Sequence, residues 1–195
     1  MDGARPSSTG AYGIDDTHPY LIDRGLVRGL VNFFGTDSVT EFGAGKGCYT
    51  DALRIAGVPA RGFEGAEGIQ HLTHGFIQHA DLTTELELGL RDWVLCLEVA
   101  EHVPKQHELT MLNNVHRHGR KGVVLSWSSA KAGIGHVNPQ PASYVHNAMR
   151  RMNYTEDVAA GKALRKSVST WSWLVSTANH GKAGGGVRVW RKQSN

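Results

Sequence analysis

The feature that most constrains the fold is a short strand that leads directly into a cluster of glycines. Residues 39–42 are typical of a short buried strand, and Gly43, Gly45 and Gly47 follow at every second position. A helical pattern begins next, so the cluster predicts a tight strand-to-helix turn whose backbone amides can approach a ligand. The spacing differs from the Gly-x-Gly-x-x-Gly of dinucleotide folds. It also differs from a phosphate-binding P-loop, because neither Ser nor Thr follows Lys46.

Strand-like and helix-like segments alternate along the rest of the chain, which predicts a mostly parallel sheet with helices on both faces. The predicted strands are residues 39–42, 60–63, 76–79, 92–97, 122–127 and 187–191. The predicted helices are residues 21–34, 49–56, 69–73, 108–118, 143–152 and 158–168. A tight turn is predicted at residues 184–186, whereas most of residues 153–186 gives no clear pattern.

Length and composition indicate one globular domain. Of the 195 residues, 40% are hydrophobic and 20% are charged, which is ordinary for a folded domain. We expect residues 1–17 to form a flexible tail and residues 18–195 to form the domain. The tail lacks the apolar segment of a signal peptide, so a cytoplasmic protein is expected. Because apolar runs stay below the ~20 residues that cross a bilayer, we expect no membrane partner.

Acidic residues stand at the ends of three successive predicted strands. Glu41 belongs to the first of these strands, Glu64 ends the second and Asp81 follows the third. In parallel sheets a ligand binds at the carboxyl ends of the strands, where a carboxylate after the second strand can accept hydrogen bonds from ribose hydroxyls. Asp81 is placed to receive an adenine amino group. The acids therefore predict a ligand site beside the glycine cluster.

Together these segments resemble the motifs of class I S-adenosylmethionine-dependent methyltransferases, in the branch that acts on small molecules. The resemblance covers residues 21–128, and residues 97–104 (Leu-Glu-Val-Ala-Glu-His-Val-Pro) are its most specific part. The matching segments are residues 41–47 (first motif), 63–65 (second), 80–82 (third), 92–104 (fourth) and 122–126 (fifth strand). The resemblance implies an α/β fold: a single Rossmann-like three-layer domain with a mostly parallel seven-stranded sheet and a short antiparallel C-terminal strand.

The resemblance also implies S-adenosyl-L-methionine as the cofactor. Gly43 and Gly45 would line its methionine part and Glu41 its amino group, while Glu64 would hold the ribose and Asp81 the adenine edge. The implied cofactor-binding residues are Glu41, Gly43, Ala44, Gly45, Glu64, Gly65, Asp81, Leu82, Leu97 and Glu98. The chain departs from the family in carrying Glu rather than the commoner Asp at two of these positions, 41 and 64, which shifts those contacts by one methylene.

Two histidines are candidate catalytic residues. His102 follows the fourth predicted strand and has the pKa range of a general base, but it is equally suited to hold the loop backbone. His136 lies in the loop after the fifth strand, where it can face the acceptor, together with Asn138 and Gln140, or serve only in the turn. The sequence predicts no metal site, because the chain lacks both metal-type cysteine spacing and the acids of metal-dependent catechol-type enzymes.

Methyl transfer to oxygen or nitrogen of a small-molecule acceptor is the function that these observations favour. The alternatives are an acceptor on a nucleic acid or protein, supported only by the net charge of +3 and the tryptophans, and a cofactor-binding but inactive partner subunit. We expect the first helix to be a partial lid, Trp171 and Trp173 to cover the pocket, and both cysteines to be buried free thiols. The oligomeric state is left open.

Overall fold

The computed structural model describes residues 7–14, 22–131, 133–175 and 186–194. The helices are α1 (Arg24–Phe34), α2 (Cys48–Ile55), α3 (Ile69–Leu72), α4 (Glu108–His118), α5 (Ala142–Arg151) and α6 (Val158–Ser167). The strands are β1 (Val39–Phe42), β2 (Ala60–Glu64), β3 (Gln78–His79), β4 (Arg91–Cys96), β5 (Gly119–Leu125), β6 (Tyr154–Glu156) and β7 (Arg188–Lys192). The predicted helix start at residue 21, the tail residues 1–6 and 15–17, and most of the predicted turn at 184–186 lie outside the described residues.

One seven-stranded sheet, in the order β3-β2-β1-β4-β5-β7-β6, forms the middle layer. The strands from β3 to β5 pair in parallel, whereas β7 runs antiparallel to both β5 and β6. Phe42 at the end of β1 is in register with Phe63 of β2 and Cys96 of β4. The carboxyl ends of these three strands therefore meet at one edge, and the predicted α/β fold with an antiparallel C-terminal strand is confirmed.

The strand β4 shows why the sheet is covered on both faces. Trp93 and Leu95 pack in the cluster that holds α1 and α6, whereas Val94 and Cys96 pack in the cluster that holds α4 and α5. Successive side chains of a strand point to opposite faces, so an apolar run of this length requires helices on each side.

The helix α1 is fixed at its start by Asp23. This carboxylate accepts the backbone N–H of Leu26 at 2.8 Å and those of Ser169, Thr170 and Trp171 at 2.6 to 3.0 Å. A side-chain oxygen at this position satisfies an amide that the helix leaves unpaired. Asp23 therefore caps α1 and also anchors the segment that follows α6.

The largest differences from the predicted elements fall at the sheet edges, although the inner strand β5 also begins at Gly119 and ends at Leu125 rather than spanning residues 122–127. The short strand β6 was not predicted, because three residues are too few to show a period of two. The strand β3 is two exposed residues long rather than four. Both cysteines are free as predicted, although Cys48 is only partly buried. Among the described residues, the helices are too short or too polar to cross a membrane.

Candidate functional site

A cavity of about 560 Å³ opens at the carboxyl edge of the sheet, beside β1, β2 and β4. It brings together all ten residues predicted to bind the cofactor, as well as His102: Glu41, Gly43, Ala44, Gly45, Glu64, Gly65, Asp81, Leu82, Leu97 and Glu98. Its volume falls within the range of ~300–1,000 Å³ usual for small-molecule sites. A second hollow of about 840 Å³, between α4 and α5, contains none of these residues, so the first cavity is the candidate site.

The glycine cluster forms the turn between β1 and α2. Gly43 and Gly45 have φ angles of 71° and 54°, a region that favours glycine over other residues. A side chain at Gly43 would overlap with Val99, whereas a Cβ at Gly45 would meet open space. The turn therefore requires glycine at position 43 because of packing and at position 45 because of the backbone conformation. It exposes backbone without side chains to the cavity.

The carboxylate of Glu64 joins the two loops that follow β1 and β2. It accepts the backbone N–H of Gly45 at 2.8 Å and that of Ala66 at 3.1 Å. Glu64 is buried, and hydrogen bonds from backbone amides hold a carboxylate in one orientation. The longer Glu side chain thus reaches back to the glycine turn while it still lines the cavity.

Glu41 lies deeper than the other acids. It is 4% exposed and accepts a hydrogen bond from the hydroxyl of Thr50. Burial raises the pKa of Glu41 to about 7, and the charge of Glu64 adds to the rise, while the bond from Thr50 opposes it. The site therefore holds a carboxyl group that ionises readily when a cation comes near it.

Asp81 and Leu82 form the far wall of the cavity. The Oδ1 atom of Asp81 accepts the backbone N–H and the hydroxyl of Thr83, both at 2.8 Å. Leu82 is buried beside it. This wall thus pairs an oriented carboxylate with apolar surface, a combination that suits a flat base with polar edges.

Glu98 follows β4 with a strained backbone. Its φ is 57°, which is uncommon for a residue with a side chain. The hydroxyl of Ser126 accepts the Glu98 amide and donates to its carboxylate, both at 2.7 Å. Burial raises the pKa of Glu98. Strain of this kind persists only where the surroundings enforce it and is concentrated at functional sites.

His102 and His136 lie against each other, with ring centroids 4.9 Å apart. Nδ1 of His102 lies 3.0 Å from the Gly135 carbonyl oxygen, and Nδ1 of His136 lies 2.6 Å from that of Ala130. A carbonyl oxygen only accepts hydrogen bonds, so each Nδ1 carries a proton, and in the neutral ring Nε2 is the nitrogen with the lone pair. Burial lowers the pKa of His102. His136 stands behind His102 rather than in the cavity wall.

Glu101 is a residue to which the sequence analysis assigned no role. It is fully buried, and neither carboxyl oxygen has a side-chain hydrogen-bond partner among the described residues. Burial and the charge of Glu98 raise the pKa of Glu101 to about 8, while hydrogen bonds from the backbone amides of Glu101 and Ser128 oppose the rise. The available signal was the pair of acids three residues apart directly before His102.

Asn138 has a structural role. It is buried, its amide donates to the Glu101 carbonyl at 2.8 Å, and its side chain donates to Glu108 and accepts from Gln140. The indole of Trp127 donates to its carbonyl. Because its polar groups are already bonded, Asn138 holds the loop that carries His136 against the loop of Glu101. Of the two predicted alternatives, a role in the turn fits Asn138 better than contact with the acceptor.

Residues 7–14 lie across the cavity, a placement that the sequence analysis missed. The Tyr12 hydroxyl donates to the Ile134 carbonyl and lies 3.0 Å from Nδ1 of His102. Gly10 packs on the backbone of His102 so closely that a Cβ there would overlap with it. The contacts of Tyr12 join residues 90 and 122 positions apart, so the local sequence pattern could not predict them.

Trp171 and Trp173 also lie at the cavity, as predicted. Both line the cavity and stack with centroids 4.7 Å apart. The prediction that α1 is a partial lid is wrong, since none of its residues lines the cavity. Its glycines Gly25 and Gly29 instead pack against Ser167 at the end of α6, which holds α1 on the face of the sheet.

Neither the family models nor the curated proteins that were compared match this chain. Solved structures do match. Magnesium protoporphyrin IX methyltransferase from Synechocystis is 15% identical, with 86% of this chain and 80% of that chain covered and a TM-score of 0.60. A TehB-like SAM-dependent methyltransferase from Corynebacterium glutamicum is 14% identical, with 87% and 88% covered and a TM-score of 0.60. The 1,6-didemethyltoxoflavin-N1-methyltransferase of Burkholderia thailandensis is 15% identical, with 88% and 78% covered and a TM-score of 0.54. The chain therefore has the fold of these proteins.

Proposed function

We propose that this protein is an S-adenosyl-L-methionine-dependent methyltransferase that acts on an oxygen or nitrogen of a small molecule. The observation that carries the proposal is the single cavity in which all ten residues expected to hold that cofactor meet. The fold was predicted from the alternation of strand-like and helix-like segments, whereas these ten residues come from four separate segments of the chain, residues 41–45, 64–65, 81–82 and 97–98. Their convergence at one site supports a common ligand.

The residues present fit the cofactor. The bare turn at Gly43 and Gly45 leaves room for its methionine part, and backbone amides near the start of α2 suit its carboxylate. Glu41 is suited to its ammonium group, because a buried carboxyl gains most from a nearby cation. Glu64 is placed for two ribose hydroxyls and Asp81 for the adenine amino group.

The protein's own contribution is positioning and exclusion of water. The bound cofactor supplies an activated methyl group on a sulfonium. The protein must hold the acceptor in line with the sulfur–methyl bond. Residues 7–14 and the two stacked tryptophans close the cavity on two sides, which favours a small acceptor over a polymer. His102, neutral because burial lowers its pKa and with Nε2 free, can take the proton of the acceptor.

The acceptors of the similar solved structures support the same class. Magnesium protoporphyrin IX and 1,6-didemethyltoxoflavin are named for two of them, and both are small molecules. The predicted cytoplasmic location and the absence of a membrane partner stay predictions.

Calorimetric titration with S-adenosylmethionine and S-adenosylhomocysteine tests the proposal. We expect micromolar binding, on the order of −8 kcal/mol, that falls at least about a hundredfold in Glu64→Ala. Glu67→Ala is the matched control, because Glu67 is an exposed carboxylate on the same loop. Absence of binding by the wild-type protein would refute the proposal.

Binding that remains in Glu64→Ala would refute the assigned role of Glu64 but not the cofactor. If the cofactor binds, turnover is then measured with pools of small molecules, RNA and protein. Transfer to RNA or protein alone would replace the small-molecule acceptor, and binding without any turnover would favour an inactive partner subunit.

A further inference from the structure

Three side chains of metal-ligand type converge at the cavity wall, which His102 lines and behind which Glu101 and His136 lie. Glu101 and His102 come from the loop after β4, and His136 comes from the loop after β5. One candidate ligand atom from each lies within 4.8 Å of the others. An ion with bonds of about 2.1 Å holds ligand atoms up to about 4.2 Å apart. Small side-chain rotations are therefore enough to bring the three ligand atoms to coordination distance.

Both histidines are oriented as metal ligands are. Each Nδ1–H is directed at a backbone carbonyl, that of Gly135 for His102 and that of Ala130 for His136. A second bond of this kind fixes the tautomer and leaves Nε2 free to coordinate, which is the usual pattern around protein-bound metals. Gly133 allows this orientation, because a side chain there would overlap with the ring of His136.

Glu101 supplies the independent observation. It is a fully buried carboxyl group whose oxygens have no side-chain hydrogen-bond partner among the described residues, and the backbone amides of Glu101 and Ser128 lie close to it. Buried charges in proteins are paired with other charges or coordinate metals. A divalent cation would neutralise Glu101, which forms no salt bridge with a side chain among the described residues.

We infer that Glu101, His102 and His136 bind one divalent transition-metal ion, and that this ion takes an oxygen of the methyl acceptor. Mixed imidazole and carboxylate ligands suit ions such as Mn²⁺, Fe²⁺, Co²⁺ and Zn²⁺. Three protein ligands leave coordination positions open for a substrate. This inference differs from the sequence-based expectation of no metal site. It also gives His102 the role of a ligand rather than of the base.

The second half of the inference rests on the proposed function and narrows the acceptor to a hydroxyl compound. A cation lowers the pKa of an oxygen bound to it, so the hydroxyl proton is released to solvent water. The acceptor oxygen then forms a bond to the methyl carbon. The carbon–sulfur bond breaks with its electron pair remaining on sulfur. The products are the methyl ether, S-adenosylhomocysteine and one proton.

The test measures metal binding by tag-free, EDTA-treated protein without cofactor. Equilibrium dialysis against Mn²⁺, Co²⁺ or Zn²⁺ alone is expected to load one ion per chain, and Co²⁺ is expected to give visible ligand-field bands. Glu101→Gln and His136→Ala should each weaken binding at least about tenfold to a hundredfold. His71→Ala and Glu87→Gln, which change exposed residues, should bind as the wild type does.

A measurement on the unaltered protein guards against variants that fail to fold. Substoichiometric Mn²⁺ should broaden the NMR signals of Tyr12, which lies 3.0 Å from Nδ1 of His102, before those of exposed His71. Absence of stoichiometric binding, or equal binding by Glu101→Gln, would overturn the metal site. Cofactor titration is run in parallel. If the protein binds the cofactor but no metal ion, the metal site is rejected and the proposed function is not. If the metal ion stimulates methylation of amines but not of hydroxyl compounds, the assignment of a hydroxyl acceptor is rejected.

Discussion

The buried carboxyl of Glu41 predicts that glutamine at this position stabilises the cofactor-free protein at neutral and higher pH. The pKa of Glu41 lies at about 7 in the folded chain instead of 4.5, mainly because of burial. Below about pH 4 both states hold the proton, and the group has no effect. As the pH rises, the unfolded chain releases this proton first, so the native state loses stability up to about pH 7.

The size of the effect follows from the two pKa values. A difference of one pKa unit corresponds to about 1.4 kcal/mol, so ionisation of Glu41 costs the native state about 3 kcal/mol. Glu41→Gln removes the titration while an amide oxygen can still accept from Thr50. Between about pH 4 and about pH 8, the variant should gain about 3 kcal/mol relative to the wild type, or roughly 6–12 °C in Tm.

Urea denaturation of both proteins over this pH range measures the change. Glu101 titrates in both proteins, so its contribution cancels in the comparison. Glu87→Gln, which removes an exposed carboxyl, is the control. A stability difference between wild type and Glu41→Gln that does not change with pH would refute the reasoning. In the presence of S-adenosylmethionine the order should reverse, because the cofactor's ammonium group favours ionised Glu41 and has no partner charge in the variant.

Two further predictions concern the segments that frame the cavity. Asp23→Ala should lower the free energy of unfolding by about 2–3 kcal/mol, because it removes the cap of α1 and leaves the amides of three residues in the partly exposed segment after α6 without their acceptor; a loss under about 1 kcal/mol in urea denaturation would contradict this. Backbone hydrogen bonds hold the pKa of Asp23 well below its usual range, so its stabilisation is present above about pH 4 and is lost as the pH falls below that. Gly10→Ala should displace residues 7–14 from His102, because Gly10 has a φ of 90° and no room for a Cβ. Calorimetry should show weaker cofactor binding for it but not for Gly13→Ala, where a Cβ meets open space, and equal binding by the two variants would contradict the contact.

Much of the fold could be predicted because the signals are local. An apolar run such as residues 92–97 has strand length and requires cover on both faces. The glycines at 43 and 45 mark a turn that most residues cannot adopt. Acids stand at the ends of successive predicted strands, so Glu64 and Asp81 were predicted to reach one edge of a parallel sheet. Both line the cavity at that edge. Their roles toward a cofactor stay predictions until binding is measured.

The sequence by itself therefore determined the order of elements, the glycine turn and the edge of the sheet that carries the site. Only the tertiary structure decided what closes that site and what lies behind it. Tyr12 meets His102 across 90 residues of chain, and His136 reaches Glu101 and His102 through a loop fixed by Asn138. Such contacts depend on how loops from separate strands fold over one another. Burial of Glu101 is likewise a property of the assembled loops, because a lone acid in a sequence is as compatible with solvent as with a bound ion.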